Sequence, residues 1–411
     1  MKLIISLVIL IATFTSVNSE EISEELKTEF FIASGITAIQ DNSFFLLAIR
    51  PVFKYMRITA DMDIRFLFAN SGIRKEDWNE LRDLSNLVRE IKYENEGLFL
   101  RGGNIEEITL GHGLLVKRYY NTQPADFERK FGRQFKVDFG SVGLEDFGND
   151  VFDERVEAVN IFFMPSDILG KSFFHSIKMN GIVISDSIPS KNKYWYDSRT
   201  DKVYPLSGSD QLGGFSAGLD FQLIKSPDSD FCIYTEVAQI RDKGEGFIFP
   251  GIALKINNFE VKVEYRNIAP NFVPGILDYN YEERRPIDWQ QVKLSKTNQM
   301  RNGGYFEFNS QILSVINVGG SFEKYSGLYP NIHTAISLNP TLNFNKIKFY
   351  FSYDQKDVEK LNLLSPDSVL RSGIAIDIYE RIQLNCYFRQ SYDIEFRLYK
   401  KTYTLDIQML L

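Results

Sequence analysis

Tyr403-Thr404-Leu405-Asp406-Ile407-Gln408-Met409-Leu410-Leu411 closes the chain, and its reading decides the fold. Tyr403, Leu405, Ile407, Met409 and Leu411 alternate with Thr404, Asp406, Gln408 and Leu410. Successive side chains of a strand point to opposite faces, so this stretch has one apolar face and one mostly polar face. The same two-residue period recurs upstream. Phe259, Val261, Val263 and Tyr265 alternate with Glu260, Lys262, Glu264 and Arg266. Ile347, Phe349, Phe351 and Tyr353 alternate with Lys348, Tyr350, Ser352 and Asp354, and Ile394, Phe396 and Leu398 with Glu395, Arg397 and Tyr399. A long series of such strands predicts an all-β, transmembrane, antiparallel up-and-down β-barrel.

The links between strands carry a second regularity. Counted back from a C-terminus placed in the periplasm, Tyr379–Arg381, Asn343–Asn345, Ile316–Gly320, Asn257–Asn258 and Lys225–Ser229 fall on the periplasmic side. All are short and rich in residues that tolerate turn dihedrals. Gln355–Ser368, Ile268–Arg301 and Ser187–Gln211 fall on the outer side and are long and polar. Short periplasmic turns and long outer loops are the barrel rule, and the phase holds back to about Gln134.

At the other end, Met1-Lys2 precedes an apolar run from Leu3 to Phe14 and then Thr15-Ser16-Val17-Asn18-Ser19. This pattern predicts a signal peptide over residues 1–19, cleaved after Ser19. The run is too short for a spanning helix, and no later segment reads as one. An exported chain that spans a membrane without such helices does so as a closed barrel. The expectation is therefore one barrel domain, 20–411, in the outer membrane. The mature chain, 411 less 19 or 392 residues, gives about 16 strands (14–18) of roughly ten residues each.

Composition agrees. Phe (34) and Tyr (21) are abundant, as expected of a lipid-facing belt with interfacial girdles. The net charge of -7 argues against nucleic acid as a partner and hints slightly at a preference for cations. Cys232 and Cys386 lie in strand interiors far apart in the chain, which predicts two free, buried thiols. No Cys/His cluster has metal-ligand spacing, and no phosphate-cradling loop or hydrolase motif is present, so no cofactor is expected.

One region breaks the strand period. Trp78, Leu81, Leu84, Leu87, Val88 and Ile91 recur at helical spacing, predicting an amphipathic helix near residues 73–94. It would cap one end of the barrel, plug or gate the lumen, or dock a partner. The run Ile73-Arg74-Lys75-Glu76-Asp77-Trp78, then Gly103-Asn104 and Leu110-Gly111-His112-Gly113, resembles a set of uncharacterised outer-membrane β-barrels of Gram-negative bacteria. Phe249-Pro250-Gly251 and Phe272-Val273-Pro274-Gly275 are similar to the same set. The resemblance implies an outer-membrane barrel and no particular activity. In such barrels the final strand is what the barrel-assembly machinery reads.

Candidate residues follow from the two faces. Glu260, Lys262, Glu264 and Arg266 are expected to line the lumen, and His112, between two glycines and beside Glu106 and Glu107, to sit in the lumen or a plug. His112 would bind solute or titrate, or hydrogen-bond to the helix while the glycines relieve crowding. His175 and His333 are placed near strand ends. The long loops 187–211 and 268–301 carry Tyr194, Trp195, Tyr196 and Trp289, an aromatic load suited to a binding surface or an interfacial girdle. Three functions are compatible with this pattern. The first is a porin-like channel or transporter for small solutes, whose partners are outer-membrane lipid and the solutes. The second is a structural or adhesive barrel acting through those loops. The third is a rim hydrolase built on His333; no enzyme is expected.

Overall fold

The computed structural model describes residues 26–411 apart from 40–41, 71, 79–82, 84–85, 123–128, 166–176, 188–193, 198–201, 206–210, 283–298, 313–314, 339–340, 343–344, 357, 360–367, 394–397 and 411. The expected signal peptide, His175 and Trp289 lie outside the described residues.

Twenty antiparallel strands form one sheet that closes on itself. They are β1 (Lys27–Ile39), β2 (Asn42–Tyr55), β3 (Ile58–Met62, continued as Ile64–Ala69), β4 (Val88–Asn95) and β5 (Leu98–Gly103). Then come β6 (Gly132–Asp138), β7 (Val142–Gly148), β8 (Val156–Phe163), β9 (Ile177–Asp186) and β10 (Leu212–Lys225). β11 (Ser229–Ile240), β12 (Gly244–Ile256), β13 (Phe259–Ile268), β14 (Arg301–Ile312) and β15 (Ile316–Tyr325) follow. The wall ends with β16 (Asn331–Leu338, with Thr341–Leu342), β17 (Asn345–Gln355), β18 (Ser368–Tyr379), β19 (Ile382–Asp393) and β20 (Leu398–Leu410). β1 pairs with β20 in the register Phe31↔Leu410 to Ile39↔Thr402, so no edge is left open.

Two expectations are corrected here. The strand number is 20 rather than about 16, because β4 to β8 are only six to eight residues long. The amphipathic helix near 73–94 is absent among the described residues. Lys75–Asp77 makes one 3-10 turn and Val88–Asn95 is a wall strand paired with β3 and β5. Its polar residues are satisfied across the ladder, with Arg101 Nη2 2.7 Å from Glu90. Trp78 stacks on Phe66, with ring centroids 5.2 Å apart. The turn expected at Ile316–Gly320 lies instead just before it, since Ile316 opens β15.

Alternation sets the two faces. On β20, Tyr403, Leu405, Ile407 and Met409 are exposed on the outside, while Thr404 and Asp406 are buried inside. Ile36, Ile161, Val183, Phe215, Val237, Val263, Phe306, Phe322 and Ile374 extend the exposed apolar belt around the wall. Such a belt is tenable only in lipid. Cys232 is buried on the inner face, but Cys386 is exposed in the belt opposite Ile374, correcting the expectation of two buried thiols. Both are free.

Candidate functional site

A ring of 20 strands encloses more space than wall side chains can fill. Two links fold inward and occupy part of it. Residues 104–131, between β5 and β6, begin as a hairpin in which Ile108 bridges Tyr119 and the tip turns at Leu110–Gly113. Residues 269–282, after β13, lie alongside. The two segments pair in parallel, Leu277 with Val116 and Asp278 with Lys117, and Gly275 N–H donates to the Leu114 carbonyl (2.8 Å).

Sequence dictates this docking. Leu110, Leu114, Leu115 and Val116 from the hairpin and Phe272, Ile276 and Leu277 from the second segment are buried against Ile182, Ile184, Tyr234, Ala238 and Ile248 of the wall. Burying each such side chain contributes about 1.5–3 kcal/mol, which holds the plug in place. The Leu110-Gly111-His112-Gly113 run, Gly251 of the Phe249-Pro250-Gly251 run and the Phe272-Val273-Pro274-Gly275 run, 275 less 110 or 165 residues apart at their extremes, thus meet in one place, while Phe249 is exposed. Gly251 leaves room for the Tyr234 ring, and Tyr234 stacks on His112 with ring centroids 3.5 Å apart. His112 is therefore in the tip turn of an inserted hairpin rather than in a strand. Its N–H donates to Glu236 (2.7 Å), and its Nε2 lies 2.6 Å from Asp220.

The remaining candidates separate. Glu106 and Glu107 are exposed on the plug's edge. Glu264 and Arg266 face inward but are sealed beneath the plug, where Arg266 pairs with Glu264 and, at 2.6 Å, with Glu323. Tyr234 OH donates to Glu264 (2.5 Å). Glu260 stays exposed at the barrel end that carries both termini and bonds Lys255 (2.8 Å); Lys262 is half-buried on the same face. Tyr194–Asp197 pairs with Lys202–Pro205 in a separate two-stranded ribbon; the side chains of Tyr194, Trp195 and Tyr196 lie outside the described residues.

Polar contacts fix the plug to its surroundings. Glu282 accepts from Tyr119 OH, Lys130 Nζ and Asn149 Nδ2. Asn121 Nδ2 reaches the carbonyls of Gly103, Lys130 and Asn149. Lys117 Nζ lies 3.6 Å from the centroid of the Tyr305 ring, and burial pulls its pKa down to about 7 against the pull of Glu323.

Across the lumen from the apolar seam the wall is rich in arginine, a cluster that the sequence reading missed. Arg50 and Arg65 both bond Asp63 (2.9 and 2.6 Å), and Arg129 from the plug joins them. Arg89 lies 3.5 Å from Asp61 and is half exposed. Nearer the opposite end, His333 Nδ1 lies 2.5 Å from Asp354, with Arg118 and Arg371 at 3.6 and 3.8 Å. Arg118 and Arg371 both approach the Tyr279 ring. Ser321 stands across the ladder from His333, yet among the described residues no serine hydroxyl is hydrogen-bonded to that imidazole, so the nucleophile–base contact of a hydrolase is not made.

Fold and site together define a closed β-barrel with an apolar outer belt and an inward-folded plug. No known family's sequence model matches the chain, and no curated protein is significantly similar to it in sequence. Solved structures similar to it over nearly their full length are outer-membrane proteins. OprD of Pseudomonas aeruginosa shares 5% identity at a TM-score of 0.36, over 95% of this chain and 96% of that one. OccAB2 of Acinetobacter baumannii shares 9% at 0.36 (94% and 98%), and a BenF-like porin of Pseudomonas fluorescens Pf-5 shares 7% at 0.36 (94% and 98%). Likeness this remote carries nothing about solute or mechanism.

Proposed function

We propose that this chain is an outer-membrane, porin-like channel for small solutes. The observation that carries the reading is the asymmetric lumen. One side is filled by the plug's apolar seam, while the other presents Arg50, Arg65 and Arg89, backed by the buried Arg129 of the plug. A protein needing only a rigid wall has no use for arginines gathered on the inner face. A solute path does, because a local surplus of one charge concentrates the opposite ions. The passage is therefore expected to favour anions, the reverse of the slight hint from net charge. The barrel end carrying both termini faces the periplasm, and β20 presents the C-terminal strand to the assembly machinery. Planar-bilayer recording of the refolded protein tests this: discrete, anion-favouring steps support it, and silence from a demonstrably inserted barrel contradicts it.

A surface role rests on one feature, the ribbon formed by Tyr194–Asp197 and Lys202–Pro205, which among the described residues pairs with no barrel strand. Excision of 188–210 that abolishes adhesion to a host or partner surface while leaving conductance intact would establish that role.

A further inference from the structure

On the outer face of β13 to β16 the ladder lays side chains in level rows. Val263, Phe306, Phe322 and Ile332 share one row, and the first three are exposed in the apolar belt. The next row, toward the barrel end opposite the termini, is Tyr265, Gly304 and Lys324. The row beyond it begins with Asn267 and Asn302. Within two rows the wall thus passes from aliphatic and phenyl groups, through a phenol and an ammonium, to amides. That gradient is the signature of a lipid–water interface.

A groove opens at this boundary. It encloses about 620 Å³, and Asn302, Lys324, Ser326 and Tyr329 are among its lining residues. That is the size of a small-molecule site. Gly304 stands across the ladder from Lys324, and a Cβ on it would meet only the Glu264 carbonyl, at 3.7 Å, so no side chain crowds the lysine from that rung. Lys324 is exposed and makes no ion pair among the described residues. The acids near it do not answer its charge. Glu323 points to the lumen and is held by Arg266 (2.6 Å). Glu359 follows Val358, whose N–H donates to the Pro330 carbonyl (2.8 Å), and it too makes no ion pair among the described residues. Asn302 Oδ1 accepts from Asn267 Nδ2 (2.8 Å), which leaves the N–H groups of the Asn302 amide for a ligand. The Ser326 N–H donates to the Asn302 carbonyl (2.8 Å) and holds that hydroxyl alongside. An ammonium without a counter-charge, with amide and hydroxyl donors beside it and an apolar belt below, is the complement of a phosphate carried on acyl chains.

We propose that this groove seats the phosphorylated headgroup of one outer-leaflet lipid. The phosphate rests on Lys324, Asn302 and Ser326, and the acyl chains run down over Phe322 and Phe306. The site rests on the lipid-facing belt and not on the channel reading, and the choice of leaflet follows from the barrel orientation given above.

The test is native mass spectrometry of the refolded full-length barrel, delipidated in detergent and titrated with diphosphoryl lipid A or with the same lipid freed of its phosphates. One diphosphoryl lipid is expected to stay on each barrel at concentrations where the dephosphorylated lipid leaves it bare. Lys324→Gln is expected to weaken retention about fivefold. Asn302→Asp, which sets a carboxylate against the phosphate, should weaken it at least as much. Lys225→Gln, an exposed lysine at the end that carries the termini, should change nothing. Equal retention of the two lipids by the wild type would overturn the site. So would unchanged retention in Lys324→Gln and Asn302→Asp barrels shown to be folded by heat-modifiability. Displacement of the lipid by millimolar inorganic phosphate would show that a free anion suffices, and would overturn the lipid as occupant.

Discussion

Gly251 has no room for a side chain: a Cβ there would lie 2.2 Å from the Tyr234 ring, which is held between this glycine's strand and the His112 imidazole. Gly251→Ala must therefore push the ring into a closed seam, at a cost of about 1–3 kcal/mol. Urea unfolding of the refolded barrel should show that loss, and an unchanged midpoint would mean that the seam is loose. Lys117 gives a second handle. Burial holds its pKa at about 7, below the ordinary lysine value of 10.5, so it is charged below neutrality and neutral above it. Between about 7 and 10.5 the unfolded chain binds more protons at this residue than the folded one, so this group alone makes the fold more stable as pH rises through that window. In the channel, lowering pH from 8 to 6 adds positive charge beside Arg118 and should shift reversal potentials further toward anions. Lys117→Met should flatten that shift. At this scale the inward positions of Glu264 and Arg266 were legible, because a period of two fixes a face. Their removal from water was not, because a seam made 165 residues apart leaves no mark in a strand's own alternation.

The plug is the element on which the channel reading turns. Glu282 joins its two halves through Tyr119 and Lys130 and ties them to Asn149 of the β7–β8 link, and its side chain is 6% exposed. Glu282→Ala strands three polar groups, at about 1–3 kcal/mol for each one left buried without a partner. More frequent transitions between current levels are expected, with little change in the mean open level; a trace indistinguishable from wild type would show that 269–282 is held by its apolar contacts alone. The elements that sequence placed well were β13, β17 and β20, each long enough for several cycles of alternation. Residues 88–94 misled for a physical reason. Leu84, Leu87, Val88 and Ile91 fit a helical stripe, while Val88-Arg89-Glu90-Ile91-Lys92-Tyr93 also serves as a wall strand once Glu90 finds Arg101 across the ladder. Local pattern could not choose, and pairing with β3 and β5 did.

For the whole molecule, length divided by a standard strand gave too few strands, since β4 to β8 are short and the chain saved there is spent on links folded inside. The difference matters, because 20 strands enclose a lumen that needs a plug to be narrow at all. The central claim is that this plug leaves an arginine-lined passage beside it. It is tested most directly by single-channel recording of the wild type against a barrel in which residues 105–120 are replaced by a short Gly-Ser linker. Small, anion-favouring steps are expected for the wild type and severalfold larger, less selective steps for the deletion. Equal conductance in two well-inserted, heat-modifiable barrels would contradict it.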